Sequence, residues 1–472
     1  MKSTDDSTDL HAVFELQRAA FAPHPFPGWD LRRDRLRRLQ SLVLANEKKF
    51  SEAIDADFAG RPSGETELLE IYPALEEVKS ALRHGARWMR ARRAPVAKWY
   101  LPARGRIVPQ PLGVVGIIAP WNYPIFLSVG PLAGALAAGN RVMVKLSEFT
   151  PRFGECFAAV VAEKFAADEL AVVNGDATVA ANFSALPFDH LLFTGSTAVG
   201  RKVMQAAAAN LTPVTLELGG KSPAVVAPGY SASHAAARIL TGKLLNAGQT
   251  CIAPDYVLVP RAELEGFVAA ARARAKAMFP AMLDSRDYCS IVNARQYGRL
   301  NGYLTHAGEH GVRTEWLFDG RPRDDDGHRL APALLVDPPA RLDVMQDEIF
   351  GPILPVLPYD SLDDALRFIA ARPRPLALYW FDNDAARTAQ VMRTSHAGGV
   401  TVNDVLLHIV QDNMPFGGIG PSGMGHYHGR WGFETFSKLK PVFIQSRLNL
   451  LALFGPPYRP TAKRLTQLMK RL

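Results

Sequence analysis

Residues 113–145 read GVVGIIAPWNYPIFLSVGPLAGALAAGNRVMVK, and this stretch carries the pattern that decides the fold. Gly113–Ala119 is a short, continuous apolar run, as expected of a strand buried on both faces of a parallel sheet. Pro131–Asn140 predicts a helix that ends at Gly139, and Arg141–Lys145 predicts a second strand. The stretch therefore predicts a strand, a helix and a strand in succession, which is the repeating unit of α/β folds.

The same alternation continues as far as residue 218. Further strands are predicted at Leu170–Val173, His190–Thr194 and Val214–Leu218, and helices at Pro151–Phe165 and Thr197–Leu211. Strands that alternate with helices of this length predict a doubly wound, mostly parallel sheet. Such sheets bind ligands beyond the carboxyl ends of their strands.

The regions on either side extend this organisation. The first hundred residues have a helical pattern, with Pro95 predicted to end the second long helix and Arg106–Gln110 predicted to be extended. A second α/β region is expected from about Lys221 to Val400, and the stretch Arg321–Gly327 is predicted to be an exposed loop. Its strand candidates are Ser222–Ala227, Tyr256–Pro260 and Ile353–Tyr359. A chain of 472 residues is too long for one ordinary core, so two or three domains are expected.

The composition is that of a globular protein, with 48% hydrophobic and 21% charged residues, and it argues against a disordered chain. The net charge of +8 comes largely from basic runs at residues 32–38, 87–93 and 463–472. Solvated helix faces explain such runs, and an anionic partner or membrane surface is the alternative. The sequence has no zinc-ligand cluster and no RNA-binding aromatic pattern, so neither a metal site nor a nucleic-acid partner is predicted.

Cysteine usage and the chain ends bear on the compartment. The three cysteines are widely spaced and odd in number, which favours a reducing cytoplasm over a disulfide framework. The first ten residues lack the apolar stretch of a signal peptide, and no apolar run reaches the 18 residues of a spanning helix. The longest candidate, Leu448–Phe454, is too short. The basic end PTAKRLTQLMKRL predicts a short amphipathic helix, which either docks or frays or contacts a membrane surface.

Cys251 is the candidate nucleophile. It lies in NAGQTCIAPD, where its neighbours are small and polar, so the backbone is expected to approach a ligand. A thiolate attacks carbonyl carbon well. A lone cysteine is more often a small buried hydrophobe, and that interpretation is kept for Cys156 and Cys289.

Two polar residues at strand ends are candidates for the same chemistry. Glu217 lies inside the apolar strand of LELGGK, where burial would raise its pKa toward that of a general base. A buried ion pair with Lys221 or another cation explains Glu217 equally well. Asn122 in PWNYP is fixed between prolines and suits an oxyanion donor, although a turn-forming asparagine is the ordinary interpretation.

The segments FTGSTAVG (Phe193–Gly200) and VKLSE (Val144–Glu148) are candidates for binding a phosphate and a ribose. The first places glycines and hydroxyls between a strand and a helix, where free N–H groups favour phosphate, but as a bare pattern it is weak. Lys145 and Glu148 follow a strand and could bind phosphate or ribose, with a surface ion pair as the alternative.

Taken together and in this order, these segments resemble the aldehyde dehydrogenase superfamily. The matching motifs are PWNYP, VKLSE, FTGSTAVG, LELGGKSP, NAGQTC, EIFGPILPV (Glu348–Val356) and PFGGIGPSG (Pro415–Gly423). The likeness covers almost the whole chain. The stretches Pro375–Phe381 and Pro415–Ser437 resemble the class 3 branch, and Asp57–Thr66 with Gly420–Gly429 most resemble bacterial coniferyl aldehyde dehydrogenases.

The resemblance implies a mechanism and a cofactor. Cys251 would attack the aldehyde, Asn122 would stabilise the oxyanion, and Glu217 would activate water to hydrolyse the thioester. The cofactor-binding residues that it implies are Lys145, Glu148, Gly195, Ser196, Gly200, Glu348 and Phe350. A carboxylate near the ribose favours NAD, and NADP stays open. Leu146 stands where many relatives have proline, which weakens the assignment of Lys145.

The resemblance also implies the domain organisation and the assembly. It implies a Rossmann-type cofactor domain over residues 1–94 and 112–218, an α/β catalytic domain over 219–400, and a small oligomerisation part over 95–111 and 401–472. A homodimer is expected. The substrate is an aldehyde, coniferyl or otherwise aromatic, with an aliphatic aldehyde as the main alternative. Less favoured are a CoA-acylating dehydrogenase, which generally lacks the counterpart of Glu217, and a cofactor-binding protein without catalysis.

Overall fold

The computed structural model describes residues 6–447 and 456–471, so the apolar stretch Leu448–Phe454 lies outside the described residues. In chain order the strands are β1 (Arg92–Ala94), β2 (Arg104–Pro111), β3 (Val114–Ile118), β4 (Arg141–Lys145), β5 (Leu170–Val173), β6 (His190–Gly195), β7 (Val214–Leu218), β8 (Pro223–Val226), β9 (Tyr256–Pro260), β10 (Arg313–Trp316), β11 (Arg323–Asp324), β12 (Arg329–Leu330), β13 (Ala333–Val336), β14 (Ile353–Tyr359), β15 (Ala377–Phe381), β16 (Gly399–Val402), β17 (Gly423–Met424) and β18 (Ser437–Ile444).

The helices alternate with these strands over most of the chain. They are α1 (Asp6–Phe21), α2 (Trp29–Phe58), α3 (Ser63–Thr66), α4 (Tyr72–Trp88), α5 (Phe126–Ala138), α6 (Pro151–Lys164), α7 (Ala177–Ser184), α8 (Thr197–Ala208), α9 (Ala232–Leu244), α10 (Leu264–Met278), α11 (Ala294–Glu309), α12 (Asp343–Gln346), α13 (Leu362–Ala370), α14 (Ala385–Thr394), α15 (Gly429–Thr435) and α16 (Pro460–Arg471). A π-helical turn, Glu67–Ile71, joins α3 to α4.

The first sheet is the doubly wound sheet that the sequence predicts. Its strand order is β17-β7-β6-β3-β4-β5, with β3 to β7 parallel and β17 antiparallel to β7. Helices α1, α7 and α8 cover one face, and α2, α4, α5 and α6 form the layer on the other. Because both faces are covered, the strands of the middle of the sheet are apolar throughout, which is why short continuous apolar runs identified them.

The register of this sheet brings several of the candidate residues to one edge. Ile118 at the end of β3 lies opposite Lys145 of β4 and Phe193 of β6, and Thr194 lies opposite Glu217. The carboxyl ends of four neighbouring strands therefore meet at one edge, which is where doubly wound parallel sheets bind their ligands.

A second sheet of seven strands, in the order β10-β13-β14-β9-β8-β15-β16, is parallel except for β10. The predicted strands β8, β9 and β14 are present, and the sequence analysis missed β10, β13, β15 and β16. The predicted loop Arg321–Gly327 contains the two-residue strand β11, which pairs antiparallel with β12. This part of the prediction was therefore wrong. The two sheets divide the chain between β7 and β8, and the predicted domain boundaries stay a prediction.

The third sheet has three strands, in the order β1-β2-β18. Strands β2 and β18 pair antiparallel over eight residues, from Arg104 opposite Ile444 to Pro111 opposite Ser437. This pairing joins the middle of the chain to its C-terminal part. The expected extended segment at Arg106–Gln110 is confirmed and is longer than predicted.

Several helix boundaries differ from the expected ones for identifiable reasons. Helix α5 starts at Phe126 rather than Pro131, because the Glu70 carboxylate accepts hydrogen bonds from the N–H groups at its start. Helix α4 ends at Trp88, well before Pro95, since β1 begins to pair with β2 in between. Helix α8 ends at Ala208, three residues before Leu211, which has a left-handed backbone.

The C-terminal amphipathic helix is confirmed as α16, with Lys470 and Arg471 in its last turn. Along residues 6–447 and 456–471, no helix is both long and apolar enough to cross a membrane. Contact between α16 and a membrane surface stays a prediction.

Asn140 connects the first sheet to the C-terminal part through a fully buried side chain. Its amide oxygen accepts hydrogen bonds from the N–H groups of Leu112 and Gly113, at 2.7 and 3.0 Å. Its amide nitrogen donates to the carbonyl oxygens of Ala135, at 3.2 Å, and Phe436, at 2.8 Å. One side chain therefore satisfies four backbone groups from three segments.

We predict that Asn140→Ala lowers the free energy of unfolding by about 3 kcal/mol, because it leaves several buried backbone groups without partners. Urea denaturation followed by circular dichroism measures the change. The matched control is Asn210→Ala, which removes one exposed hydrogen bond, to the carbonyl of Ala185. Equal unfolding midpoints for the two variants would contradict the prediction.

Candidate active site

A cavity of about 1050 Å³ opens at the carboxyl edge of the first sheet. Its walls come from the ends of β6 and β7, from the loops around Asn122 and Cys251, and from the segment that carries Glu348 and Phe350. The volume exceeds that of a typical drug-sized pocket, so the cavity suits a large ligand together with a second, smaller one. Residues 122, 217 and 251, which the sequence singled out separately, line this one cavity.

The backbone ahead of Cys251 is unusual. Asn246 and Ala247 both have left-handed backbones, with φ of 52° and 49°, and Gly248 follows at 77°. A Cβ at Gly248 would clash with the carbonyl oxygen of Gly351, so only glycine fits there. Left-handed alanine and asparagine are strained conformations that persist where the surroundings impose them, and such strain clusters at functional sites. The surrounding structure therefore holds the loop before Cys251 in a backbone conformation that the residues of the loop do not favour by themselves.

The thiol of Cys251 lies at the cavity wall and is partly exposed. Burial, together with the nearby carboxylates of Glu348 and Glu217, raises its pKa to about 12, although the N–H groups of Cys251 and Ile252 lower it. Two backbone N–H groups are therefore oriented toward the sulfur.

Glu217 is almost completely buried at the end of β7, and both of its carboxylate oxygens lack a hydrogen-bond partner among the described residues. Burial raises its pKa well above the ordinary value. The expected alternative, an ion pair with Lys221, is wrong: the Lys221 ammonium instead pairs with Asp255 and donates to the carbonyls of Val344 and Asp347. A buried carboxyl without a partner is costly, and in a cavity it is available to take a proton.

Asn122 is buried beside the same cavity. Its side-chain nitrogen donates to the carbonyl oxygen of Gln249 at 3.1 Å. An amide nitrogen carries two N–H groups, so this bond fixes the amide while one N–H remains to donate. The backbone carbonyl oxygen of Asn122 accepts hydrogen bonds from the side chains of Arg61 and Asn246.

The start of α8 forms another part of the wall. Ser196 is its N-cap, with the side-chain oxygen accepting from the N–H of Val199, and Gly195 to Ala198 line the cavity together with Arg201. A helix N-terminus presents free N–H groups and a partial positive charge to an anion. The cavity thus has a place suited to a phosphate or pyrophosphate.

Glu348 and Phe350 also line the cavity. The Glu348 carboxylate covers Gly219, where any Cβ would clash with it, and it accepts a hydrogen bond from the Gly220 N–H. Burial raises its pKa to about 8, and its Oε1 has no partner in the described part of the chain. Phe350 has a left-handed backbone and packs edge-on against Trp121 at 5.3 Å between ring centroids.

Three of the expected cofactor residues do not line this cavity. Lys145 is buried, and its ammonium donates to the carbonyls of Leu146, at 2.6 Å, and Gly175, at 2.8 Å. Glu148 is exposed beside it. Gly200 allows α8 to pack closely on β7, since a Cβ there would lie 2.6 Å from Leu218.

By their position relative to the motifs, Tyr123, Phe126, His408 and Phe436 are expected to line the substrate pocket, but in the structure they have other neighbours. Tyr123 shares a 2.6 Å hydrogen bond with Thr250, which directly precedes Cys251, and Phe436 packs in the core against His190. Phe126 and His408 also belong to buried aromatic clusters. None of the four lines the cavity described above.

Sequence analysis missed several residues that shape the site. Arg299 donates to the carbonyl of Ile349 at 2.8 Å and so holds the Glu348 segment, and Arg61 holds the Asn122 carbonyl. Each donates to a backbone carbonyl, an acceptor that every residue has, so the sequence does not mark the contact. Over the described residues, no cluster of three or more His, Cys, Asp or Glu side chains could hold a metal ion.

Comparison with known proteins places this arrangement in a family. Residues 3–442 match the model of the aldehyde dehydrogenase family. A probable coniferyl aldehyde dehydrogenase of Pseudomonas aeruginosa is 50% identical over 98% of this chain and 97% of its own. A coniferyl aldehyde dehydrogenase of a Pseudomonas species is 46% identical over 88% and 87%.

A solved structure shows the same fold. The substrate-bound AldH of Staphylococcus aureus superposes with a TM-score of 0.92, covers 98% of this chain and 99% of its own, and is 36% identical. The expected fold class is thereby confirmed. With the match of the family model over most of its length, the chain belongs to the aldehyde dehydrogenase family.

Proposed function

We propose that this aldehyde dehydrogenase oxidises coniferyl aldehyde, or another aromatic aldehyde, to the carboxylic acid with NAD as the hydride acceptor. The observation that carries the proposal is the one cavity lined by Cys251, Glu217 and Asn122, whose wall also contains the N-terminus of α8. A nucleophile, a base and a hydrogen-bond donor in one cavity are what oxidation through a covalent intermediate needs.

In the first step the sulfur of Cys251 attacks the aldehyde carbon. A thiohemiacetal forms, and the thiol proton is released to solvent. The carbonyl oxygen becomes an oxyanion, which the remaining N–H of the Asn122 amide and the backbone N–H of Cys251 stabilise. Because the Asn122 amide is already fixed on Gln249, it donates without reorganising.

The second half of the reaction converts the thiohemiacetal to the acid. When bound, the oxidised nicotinamide accepts the hydride from the thiohemiacetal carbon. A thioester on Cys251 remains. Glu217 removes a proton from water, the resulting hydroxide adds to the thioester carbon, and the Cys251 thiolate leaves as the acid forms.

The residues present fit a nicotinamide dinucleotide. The start of α8, with Arg201 beside it, suits the pyrophosphate, and the unpartnered Glu348 oxygen can accept a hydrogen bond from a ribose hydroxyl. Glu148 is exposed next to Lys145, whose ammonium already donates hydrogen bonds to two backbone carbonyl oxygens. An exposed carboxylate at the adenosine ribose would repel a 2′-phosphate, which supports NAD over NADP.

Two other activities compete with this proposal. Transfer of the acyl group to CoA would make a water-activating base unnecessary, and the buried, unpartnered Glu217 argues against it. An aliphatic aldehyde would use the same residues. The two coniferyl aldehyde dehydrogenases named above favour an aromatic substrate.

We expect the highest kcat/KM for coniferaldehyde with NAD in a panel that also contains benzaldehyde, hexanal and decanal, each with NAD or NADP. A preference of about tenfold over hexanal is the scale that pocket shape can give. Fluorescence of the reduced cofactor measures the rates. Higher values for both aliphatic aldehydes would contradict the aromatic assignment, and turnover only after addition of CoA would contradict hydrolysis.

We expect Glu217→Gln to keep the first turnover of NADH formation but to slow the steady-state rate by about a hundredfold or more, since only hydrolysis loses its base. In the native enzyme, hydrolysis should accelerate as the pH rises through the raised pKa of Glu217, where the carboxylate becomes available, and the variant should lose this dependence. Rapid-mixing fluorescence separates the two phases. Cys251→Ser is the control and should show neither phase, and native steady-state turnover in Glu217→Gln would show that another group is the base.

We also propose a homodimer in a reducing compartment such as the cytoplasm. The three cysteines are free, as expected of that compartment. Strand β18 is an edge strand whose Phe443 and Ile444 side chains are exposed, with Tyr100 packed beside Phe443. An exposed apolar edge strand is a ready surface for pairing with a second copy.

A dimer mass is therefore expected in sedimentation equilibrium, and Phe443→Lys with Ile444→Lys should shift the mass toward the monomer because it places charge on the apolar edge. Val199→Lys together with Leu211→Lys, at other exposed apolar positions, is the control. Dimers of equal stability in all three proteins would show that this surface is not the dimer interface.

A further inference from the structure

A fully buried ion pair lies behind the Asn122 loop. The guanidinium of Arg61 and the carboxylate of Glu70 both have 0% exposed side chains, and Arg61 Nη1 lies 2.9 Å from Glu70 Oε1. The two residues flank the short helix α3 and precede every strand of the first sheet. No step of the proposed reaction uses either residue.

Glu70 fixes the start of α5. Its second oxygen, Oε2, accepts hydrogen bonds from the N–H groups of Ile125 at 2.7 Å and Phe126 at 3.4 Å. Glu70 itself lies in the π-helical turn Glu67–Ile71, a rare conformation that is frequently found at functional sites. A carboxylate at this helix N-terminus therefore anchors the backbone three residues after Asn122.

Arg61 fixes Asn122 itself. Its Nη1 donates to the carbonyl oxygen of Asn122 at 2.9 Å, and the side-chain nitrogen of Asn246 donates to the same oxygen at 3.1 Å. The guanidinium also lies 5.1 Å from the ring centroids of both Phe58 and Tyr123. Charged groups thus hold the backbone carbonyl of Asn122 and the backbone that follows it.

Asn246 links this arrangement to the nucleophile loop. Its side-chain nitrogen also donates to the carbonyl oxygen of Gln249 at 3.1 Å, the same oxygen that accepts from the Asn122 amide. Asn122 and the loop before Cys251 are therefore held in one hydrogen-bonded network that includes Arg61, and the ion pair joins Arg61 to Glu70. A shift of the Asn122 backbone would change where its free N–H points relative to the Cys251 sulfur.

A contribution to stability alone does not account for this pair. A buried ion pair costs so much desolvation that apolar residues of the same size often stabilise a protein as well or better. Here the cost is increased, because the Nε and Nη2 of Arg61 have no hydrogen-bond partner among the described residues. Burial also raises the pKa of Glu70 to about 7, although Arg61 and the two backbone N–H groups lower it.

We propose that Arg61 and Glu70 are positioning residues for the oxidation, holding the Asn122 amide where it meets the oxyanion that forms at Cys251. The inference rests on the proposed function, since it assigns the pair a role in that reaction. It predicts that the pair affects the rate of the first chemical step much more than the KM for the aldehyde.

The test compares the native protein with Arg61→Met/Glu70→Gln, which removes both charges and so leaves no unpaired charge in the core. The matched control is Arg35→Met/Glu169→Gln, a pair with a 3.0 Å contact that joins α2 to the segment before β5. Glu70→Gln alone is a second variant, in case the first does not fold. Each protein receives coniferaldehyde and NAD, and rapid-mixing fluorescence records the first turnover and the KM.

We expect the first turnover to slow by about tenfold or more in the Arg61/Glu70 variants with KM nearly unchanged, because misplaced groups cost rate rather than binding. The Arg35/Glu169 control should keep the native rate even where its melting temperature falls. Asn122→Ala should slow the first turnover by about a hundredfold. Adding the Arg61/Glu70 substitutions to Asn122→Ala should slow it no further, because both act through the same amide.

Native first-turnover rates in the folded Arg61/Glu70 variants would overturn the inference. It would also be overturned if adding the Arg61/Glu70 substitutions to Asn122→Ala slowed the first turnover as much as they slow it in the native protein. The native protein in the same experiment tests the proposed function separately. Equal first-turnover rates in the native protein and the variants overturn the positioning role alone, whereas the absence of any NADH formation by the native protein overturns the proposed function and the inference built on it.

Discussion

Parallel pairing of β7, β6, β3 and β4 is the constraint on which the site depends. Parallel strands all end at the same edge, and their register brings Glu217 beside Thr194 and carries the loop after β3 to the same place. The connections between them must cross the sheet as helices, which bury both faces and leave only the strand ends for ligands. The second sheet then closes the cavity by delivering Glu348 and Phe350 ahead of β14.

Polar groups in this cavity are held at considerable cost. Glu217 has no partner among the described residues, and Glu348 leaves one oxygen unpaired in the same region. Either carboxyl would be better solvated at the surface, so folding must compensate for both through the large apolar cores on the two faces of the sheet. An unpaired group costs stability but exchanges protons readily, and this property is what the proposed hydrolysis requires of Glu217.

The sequence predicted the first sheet well because continuous apolar runs have one simple cause, burial on both faces. It missed β13, although β13 is as long as the predicted β5 and β8, and it noted Pro375–Phe381 for its resemblance rather than as strand β15. Cys251, Glu217 and Asn122 were identifiable because each lies in a distinctive motif, and the structure brings them to one cavity. Their roles remain proposals.

What the sequence could not show is how Asn122 is held. Arg61 lies 61 positions before Asn122 and Asn246 lies 124 after it, and contacts at such separations leave no periodicity to detect. Both bind a backbone carbonyl, an acceptor that every residue has, so no complementary residue type marks the partner either. The same argument applies to Arg299 and the carbonyl of Ile349. Motifs thus identify the groups that would react, whereas the groups that orient them act on the backbone and become visible only in three dimensions.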